Sequence, residues 1–411
     1  MYIGRVLESK IKKYLKRKEI IAIVGARQCG KTTLMKKVFH EQKNARFISF
    51  DDQKILRAFN EDIDYFVKNF VEGADFLFID EFQCAKDGGK KLKYIYDSQN
   101  VKLFISGSSA AELSIQSLKY LVGRIFVLTL YPLSFEEFLK HKNAKLHDLV
   151  REQKKLSGLV VESINRLYEE FLVFGGYPAV VLAKGREEKI EILRNIYNTY
   201  LLREVREILQ ISQDAQLAKL VKALALQAGG EANYNELSTL TSFGYKDLTR
   251  FISVLIKTFV CLESRPFFSN KRKELVKSPK FFFLDSGFRN IVMDNFQEPQ
   301  ARLDRGALNE NFVASEMSKM GFGLSYWRTK AGAEVDFVLE LEGRIIPIEV
   351  KTLLKVPKYG KSFINFLDYY KPREGYVFSL NYFHDSELQG RKVYFRPVFL
   401  VPYLLAGRLA S

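Results

Sequence analysis

The sequence of 411 residues predicts an α/β fold built around a parallel β-sheet. The segments Phe76–Glu81 (FLFIDE) and Val101–Ser106 (VKLFIS) are apolar runs that end in polar residues. Such runs are typical of strands that are buried on both faces of a parallel sheet. The segment Ile20–Thr33 (IIAIVGARQCGKTT) adds an apolar strand, a glycine-containing loop and the start of a helix. Together the segments predict a parallel sheet core that begins with a strand–loop–helix unit.

The loop after the first strand has the spacing G-x-x-x-x-G-K-T. Gly25 and Gly30 allow the backbone to curl so that its N–H groups point at phosphate oxygens. Lys31 can reach the β- and γ-phosphates, and Thr32 offers its hydroxyl to Mg²⁺. A helix that begins at about Lys31 adds the positive end of its dipole. The pattern predicts ATP and Mg²⁺ binding, and the strands downstream disfavour the alternative of a glycine-rich turn without a ligand.

Polar residues that follow the next strands supply the remaining chemistry of a nucleotide site. Asp80 would hold Mg²⁺ through its shell, and Glu81 would orient and deprotonate the attacking water. The run Ser106-Gly107-Ser108 follows a strand, and the hydroxyl of Ser106 or Ser108 is a candidate sensor of the γ-phosphate. Arg124, at the start of a β-type run, would act on the γ-phosphate or form a surface ion pair. ATP hydrolysis is therefore expected.

The composition excludes several classes of protein. Hydrophobic residues make up 47% and charged residues 27%, as in ordinary globular proteins, and this length corresponds to about three domains. The longest apolar stretch, Phe171–Ala183, is interrupted by glycine and proline and is shorter than the roughly 18 residues of a membrane span. The N-terminal stretch predicts a basic amphipathic helix rather than a secretory signal. The cysteines lack disulfide or zinc spacing: Cys29, Cys84 and Cys261. We expect a cytoplasmic protein without membrane association.

The net charge of +16 predicts an anionic partner, and nucleic acid is the first candidate. A lysine-rich solvated surface is the alternative explanation. Residues from about 160 to 210 have helical patterns and are a candidate lid over the nucleotide. Gly175-Gly176 and Pro178 predict a bend between the lid helices.

The next segment has the pattern of a winged helix. Helices are predicted over Leu217–Ala228, Tyr234–Leu240 and Tyr245–Thr258, followed by β-type runs at Phe259–Glu263 and Phe281–Leu284. In duplex binding the third helix would enter the major groove and the wing would contact phosphates, although winged helices also bind proteins. The basic residues of the predicted wing are Arg265, Lys271, Arg272, Lys273, Lys277 and Lys280. Their charge favours DNA.

Near the C-terminus, Ala333–Thr352 (AEVDFVLELEGRIIPIEVKT) predicts a hairpin with a Glu342-Gly343 turn. In that register Asp336 lies opposite Glu349. Cross-strand partners have Cβ atoms roughly 4.5–5.5 Å apart, so these carboxylates would repel each other unless a divalent cation lies between them. The same register places Glu334 opposite Lys351.

A metal ion beside the Lys351 ammonium would form a phosphodiesterase site. Mg²⁺ would polarise the phosphate, and Lys351 would hold the water and the developing charge. Glu310 is a candidate third carboxylate. The alternative is a solvated, charge-paired hairpin face without catalytic function.

These motifs carry a family resemblance. GARQCGKTT, FLFIDEFQ, ISGSSA and GRIFVLTLYPLSFEEFL together resemble a large prokaryotic family of AAA-type P-loop ATPases. KSPKFFFLDSGFRN, GALNENFVASEM, YWRTKAGAEVDFVL and PIEVK are similar to its C-terminal half. The resemblance implies a P-loop ATPase core over 1–155, a helical lid over 156–212, a winged helix over 213–290 and a PD-(D/E)xK restriction-endonuclease-like domain over 291–411.

The resemblance also implies roles for individual residues. The implied nucleotide contacts are Gly25, Gly30, Lys31, Thr32 and Thr33. Asp80 and Glu81 take hydrolytic roles, with Ser106 or Ser108 as the sensor. The implied second metal site consists of Glu310, Asp336 and Glu349, with Lys351 as the catalytic lysine. Cys29 stands where the family more often has a small aliphatic residue, and Val335 replaces the proline of the PD motif.

We therefore expect a Mg²⁺-dependent ATPase that binds DNA, carries a nuclease-like metal site and acts in DNA processing, repair, recombination or defence. The second hypothesis is a nucleotide-dependent switch that binds DNA or a protein partner without cleaving it. A third, a motor that moves along duplex DNA, lacks a recognisable pore-loop motif. Assembly into a homo-oligomer is left open, as is the action of Arg124 within its own subunit.

Overall fold

The computed structural model describes residues 2–108, 119–152, 156–205, 208, 214–268, 271–274 and 277–406. The chain is α/β, as predicted, and divides into two compact units. The first unit is Met1–Pro132 with Lys257–Phe259, and the second is Leu133–Ile256 with Val260–Ser411. Among the described residues, no helix is both long enough and apolar enough to span a membrane.

A parallel five-stranded sheet forms the centre of the first unit. Its strands are β1 (Ile20–Gly25), β2 (Ala45–Ser49), β3 (Phe76–Asp80), β4 (Lys102–Ser108) and β5 (Ile125–Leu130). The order β2-β3-β4-β1-β5 places β4 between the strand before the glycine loop and the strand that ends in Asp80. The three apolar runs are thus the three central strands, which confirms the predicted sheet.

Alternate residues of β1 enter separate hydrophobic clusters, because successive side chains of a strand point to opposite faces. Ile20 and Ala22 belong to one cluster, and Ile21 and Ile23 belong to the other. The helices of this unit are α1 (Leu7–Tyr14), α2 (Lys31–His40), α3 (Gln53–Glu61), α4 (Ile63–Phe66) and α5 (Gly88–Ser98). Shorter turns are the π-helical Val67–Val71 and the 3₁₀ turns Phe82–Cys84 and Lys119–Leu121.

Helices dominate the first half of the second unit. They are α6 (Phe135–Lys142), α7 (Ala144–Arg151), α8 (Gly158–Phe174), α9 (Pro178–Leu182), α10 (Arg186–Ile196), a π-helical segment (Tyr197–Val205), α11 (Asp214–Leu226), α12 (Tyr234–Thr241) and α13 (Tyr245–Lys257). The predicted bend separates α8 from α9. Gly175 has φ +74°, and a Cβ there would lie 2.1 Å from Oδ1 of Asp285. Asp285 accepts a 2.7 Å hydrogen bond from the Gly176 N–H, so the bend requires glycine.

The predicted wing is not a free hairpin. Strands β6 (Cys261–Pro266) and β7 (Lys280–Phe283) pair antiparallel, and the short helix α14 (Lys271–Glu274) lies between them in the chain. However, β6 also pairs in parallel with β8 (Ser325–Arg328), which pairs with β9 (Glu334–Val335). The result is a four-stranded sheet of order β7-β6-β8-β9. Of the two predicted wing strands, β7 is therefore an edge strand and β6 an interior strand of a larger sheet.

A mixed five-stranded sheet of order β10-β11-β12-β14-β13 completes the second unit. Its strands are β10 (Phe337–Leu341), β11 (Arg344–Val350), β12 (Glu374–Ser379), β13 (His384–Leu388) and β14 (Arg391–Pro397). The remaining helices are α15 (Ser286–Met293), α16 (Arg305–Lys319), α17 (Lys361–Tyr370) and α18 (Val401–Ala406), with 3₁₀ turns at Pro299–Ala301 and Val398–Leu400.

The hairpin between β10 and β11 confirms the predicted turn and register. Glu342 and Gly343 both have positive φ, +47° and +77°, as a type I′ turn requires. Phe337 pairs with Ile348, so Asp336 and Glu349 adjoin the last ladder pair. The prediction that Glu334 lies opposite Lys351 is wrong. Glu334 belongs to β9, which pairs with β8.

One hydrophobic core joins parts of the second unit that the sequence assigned to separate domains. Val173 and Leu193 of the predicted lid share a cluster with Leu224 and Leu248 of the predicted winged helix and with Phe296 beyond it. The four-stranded sheet also crosses residue 290. The four predicted domains thus remain a prediction. The structure itself divides the chain into two compact units.

Candidate functional site

The glycine loop lies between the carboxyl end of β1 and the start of α2. Gly30 has φ +96° and directly precedes the helix, which begins at Lys31 as predicted. A Cβ on Gly25 would lie 2.0 Å from the carbonyl oxygen of Leu130, so β5 leaves no room for a side chain there. The buried Lys31 ammonium donates hydrogen bonds to the carbonyls of Gly25 (3.1 Å) and Ala26 (2.9 Å).

An arginine from the N-terminal segment fixes this loop. The guanidinium of Arg5 donates hydrogen bonds to the carbonyl of Cys29 (2.9 Å) and to the carbonyl of Tyr131 (2.6 Å). The Cys29 thiol donates to the Ala26 carbonyl at 2.8 Å, and burial raises its pKa, which keeps it protonated. Sequence reasoning missed Arg5, because an isolated arginine far from the motif gives no local signal.

The carboxyl ends of β3 and β4 bring together three predicted residues. Asp80 is buried and accepts a hydrogen bond from the Ser106 hydroxyl, whose oxygen accepts the Glu81 N–H at 3.3 Å. Glu81 has φ +53°, a conformation uncommon outside glycine. The Gln83 side-chain amide donates a hydrogen bond to the Glu81 carboxylate. Gln83 is a second residue that sequence reasoning did not identify.

The other predicted nucleotide residues have different positions. Thr32 is partly buried and Thr33 is exposed in the first turn of α2. Ser108 pairs with Gly25 in the β1–β4 ladder, which places its backbone at the start of the glycine loop.

Arg124 lies at the other end of the same sheet. Its carbonyl accepts the N–H of Ile20 at the amino end of β1, whereas the loop follows the carboxyl end. Its side chain pairs with Asp97 at 3.1 Å, which is the surface ion pair that the sequence left open. The expected sensor role of Arg124 is corrected accordingly: within its own subunit Arg124 does not reach the phosphate loop.

The second predicted site lies where β9, β10, β11 and α16 meet. The Asp336 carboxylate accepts a 2.7 Å hydrogen bond from the Val350 N–H. Glu349 is 5% exposed and forms an ion pair with Lys351 through Oε1. Its Oε2 is buried and has no hydrogen-bond partner among the described residues. Glu310, on α16, is partly buried and faces this group.

The protonation of these side chains reflects their crowding. Burial, and then the negative charge of Asp336, raise the pKa of Glu310 to about 8. Burial raises the pKa of Asp336 to about 6, against the hydrogen bond from Val350. Burial lowers the pKa of Lys351, but the hydrogen bond and charge of Glu349 outweigh it, so this pKa is raised. At neutral pH the metal-free cluster therefore carries a proton on Glu310.

The donor chemistry of this cluster fits a hard divalent cation, because carboxylate oxygens are the ligands that Mg²⁺ prefers. The unsatisfied Oε2 of Glu349 supports the fit. However, nowhere in the part of the chain that the structure describes do three His, Cys, Asp or Glu side chains converge closely enough to hold a metal ion. The residues suit a cation chemically, yet in the present arrangement Glu349 is paired with Lys351 and Asp336 accepts the Val350 N–H.

The basic residues of the predicted wing have mixed environments. Arg265 is paired with Glu263 at 2.8 Å, and Lys280 is 1% exposed. Arg272 and Lys277 are exposed, whereas the side chains of Lys271 and Lys273 lie outside the described residues. Lys280 thus cannot contact DNA phosphates as the sequence suggested.

Comparison with known proteins supports part of this picture. Residues 17–139 match an AAA domain family. Two families described as domains of unknown function, DUF8612 and DUF4143, match residues 165–299 and 305–395. An uncharacterised protein of Methanocaldococcus jannaschii is 25% identical, covering 90% of this chain and 83% of that one. An uncharacterised protein of Haemophilus influenzae is 24% identical, covering 98% and 97%.

Solved structures add only distant likeness. A Walker-type ATPase of Pyrococcus abyssi has 15% identity and a TM-score of 0.47, covering 71% of this chain and 96% of that chain. The Aeropyrum pernix Orc1 protein in complex with DNA has 13% identity and a TM-score of 0.32, covering 76% and 94%. Similarity at this level carries no conclusion about function. Residues 17–139, which match the AAA domain family, contain the parallel sheet and the glycine loop, in agreement with the predicted AAA-type P-loop core.

Proposed function

We propose that the protein is a Mg²⁺-dependent ATPase that binds DNA and uses its second unit to process or recognise it. The observation that carries the ATPase proposal is the convergence of Asp80, Glu81 and Ser106 beside the glycine loop. The sheet order produces this convergence, because β4 lies between β1 and β3.

In the proposed reaction, the backbone of the glycine loop binds the phosphates and Lys31 exchanges the carbonyls of Gly25 and Ala26 for phosphate oxygens. Thr32 and Asp80 would hold Mg²⁺, which would supply positive charge to the β- and γ-phosphates. Glu81 orients the attacking water and accepts its proton. Gln83 holds Glu81 through a hydrogen bond that must break or shift for this step.

The ATPase proposal is tested with Lys31→Ala and Glu81→Gln. Lys31→Ala should abolish ATP binding, whereas Glu81→Gln should bind ATP and hydrolyse it slowly. The matched control is Lys37→Ala, since Lys37 is an exposed lysine of the same helix that pairs with Glu41. Normal turnover in both site variants would refute the assignment.

The DNA proposal rests on the net charge of +16 and on exposed basic residues of the three-helix segment. Lys246 and Arg250 are exposed on α13, and Arg272 and Lys277 are exposed beside the β6–β7 hairpin. Replacing each of the four by Gln should weaken DNA binding and reduce the slope of log K against log salt, because fewer counterions are released. An unchanged slope in fluorescence anisotropy titrations would exclude this surface.

For the second site we propose that Glu310, Asp336 and Glu349 hold a divalent cation, with Lys351 positioned beside the scissile phosphate. The unsatisfied buried Oε2 of Glu349 supports this proposal. Plasmid and branched DNA would be incubated with Mg²⁺ or Mn²⁺, with and without ATP. Asp336→Asn and Lys351→Met should abolish cleavage, and the exposed Glu340→Gln should not. Cleavage that persists in Asp336→Asn would contradict the site.

One observation favours the second candidate, a switch that binds without cleaving. Glu349 is already paired with Lys351 and Asp336 accepts a backbone N–H, and the carboxylates of the described residues do not converge on a common ligand position. No cleavage under any condition, together with intact ATP and DNA binding, would assign this function.

A further inference from the structure

A buried lysine of β7 lies beside the carboxylates of the second predicted site. Lys280 is 1% exposed and forms an ion pair with Glu334 of β9. Its ammonium is 4.9 Å from the centre of the Tyr326 ring, a cation–π contact. Burial of a charged lysine costs free energy unless neighbouring groups stabilise the charge. The groups around Lys280 therefore indicate how its charge is stabilised.

Negative groups surround Lys280 on more than one side. Its charge lowers the pKa of both Glu310 and Asp336, although burial raises each of them overall. Glu334 is shared with Arg328, whose guanidinium is 3.5 Å from Glu334 and 3.1 Å from Glu231. The Lys280 ammonium is therefore paired with Glu334 and is close enough to act electrostatically on Glu310 and Asp336, two of the carboxylates proposed to bind a metal ion.

The main chain closes this side of the cluster. A Cβ on Gly229, which has φ +84°, would lie 3.0 Å from Oε2 of Glu310, so the turn after α11 packs directly on that carboxylate. Glu231 forms a β-bridge with Lys280, and its carboxylate is 3.0 Å from the Tyr326 hydroxyl. The Lys280 ammonium thus lies in a buried position with Glu334 as its ion-pair partner.

We propose that Lys280 is a built-in cation of the carboxylate cluster, which makes the cluster stable without metal and competes electrostatically with a divalent ion at Asp336 and Glu349. This inference rests on the proposed metal site. The buried, unpartnered Oε2 of Glu349 is the position left for a ligand. Lys280 acts as a positioning residue, because it holds Glu334 and balances charge without contacting the substrate.

The test is Mn²⁺ binding to the full chain without nucleotide, measured by electron paramagnetic resonance of free Mn²⁺. Lys280→Met should bind Mn²⁺ about tenfold more tightly than the wild type, since one positive charge is removed from a low-dielectric site. Its melting temperature should also rise more on Mn²⁺ addition. Lys280→Arg, which keeps the charge, should resemble the wild type. Asp336→Asn removes a proposed ligand, so the Mn²⁺ that still binds to this variant is bound elsewhere, including at the phosphate loop.

Each outcome separates the inference from the function on which it rests. If Mn²⁺ affinity is equal in the wild type and Lys280→Met but reduced in Asp336→Asn, the metal site stands and the role of Lys280 falls. If all three bind Mn²⁺ equally, the metal site itself is absent. If Lys280→Met folds only with Mn²⁺, the ion replaces the ammonium and the inference holds. If Lys280→Met folds in neither condition, the comparison is made with Lys280→Gln, and a Mn²⁺ affinity of Lys280→Gln equal to that of the wild type would overturn the inference.

Discussion

The Ser106 hydroxyl donates a hydrogen bond to the Asp80 carboxylate, and its oxygen accepts the backbone N–H of Glu81 at 3.3 Å. A single buried side chain of β4 thus fixes both carboxylate-bearing residues at the end of β3. The hydroxyl proton is committed to Asp80. We therefore propose that Ser106 influences a bound nucleotide by positioning Asp80 and Glu81 rather than by direct contact with the γ-phosphate.

Ser106→Ala should lower both stability and activity. Asp80 is 4% exposed, and loss of its hydroxyl donor leaves a buried acceptor unsatisfied, at a cost of about 1–3 kcal/mol. Urea denaturation would measure the free energy of unfolding, and steady-state ATPase assays would show a higher KM for Mg–ATP. A variant with wild-type stability and kinetics would contradict the structural role of this hydrogen bond.

Arg5→Ala should weaken ATP binding although Arg5 lies far from the glycine loop in sequence. Arg5 holds the Cys29 carbonyl through a hydrogen bond. Because the C=O and N–H of a trans peptide point in opposite directions, this bond fixes the orientation of the Gly30 N–H, which we propose contacts a phosphate. We expect about a tenfold loss in affinity for a fluorescent ATP analogue. Lys10→Ala, an exposed position of α1, is the control and should bind normally. Equal affinity in both variants would remove Arg5 from the site.

Arg124→Ala should leave the ATPase rate of the dilute protein within about twofold, because Arg124 lies at the end of the sheet opposite to the phosphate loop. Its partner Asp97 is a surface residue, and such pairs contribute little to stability. The rate would be measured over a range of protein concentrations. A defect that appears only at high concentration would indicate that Arg124 acts on a neighbouring subunit.

The stability of the metal-free protein should depend on pH through Glu310. The pKa of Glu310 is about 8 in the folded chain and 4.5 in the unfolded chain. Between these pH values the folded chain therefore holds one proton that the unfolded chain has lost. The contribution is fully present below pH 4.5 and is lost as pH rises through 8. Melting temperatures in EDTA should therefore fall more steeply with rising pH for the wild type than for Glu310→Gln. Parallel curves would contradict the buried, protonated carboxyl.

Local sequence patterns predict the elements of this protein well. The apolar runs at Ile20, Phe76 and Val101 identify the central strands, because burial on both faces demands continuous hydrophobicity. The Glu342-Gly343 turn sets the hairpin register, since few residues accept its positive φ angles.

What the sequence could not provide depends on contacts between distant segments. The pairing of β6 with β8 joins residues 265 and 325, and no local pattern encodes that partnership. Lys280 has the same character: in the sequence it belongs to a basic stretch, yet the fold buries it against Glu334. The prediction of the metal ligands has the same limit. Residue spacing shows which carboxylates share a face of the hairpin, but it does not show which lysines pair with them in the fold.

The four-stranded sheet β7-β6-β8-β9 has a consequence for how this protein can change over time. The boundary between the two families of unknown function lies between residues 299 and 305, whereas the hydrogen-bonded ladder of β6 and β8 extends across it. A change that removed β8 or mismatched it with β6 would leave β6 with an open edge, which invites aggregation. It would also part Lys280 from Glu334. Because the ladder and the ion pair both cross that boundary, we expect compensating substitutions on its two sides.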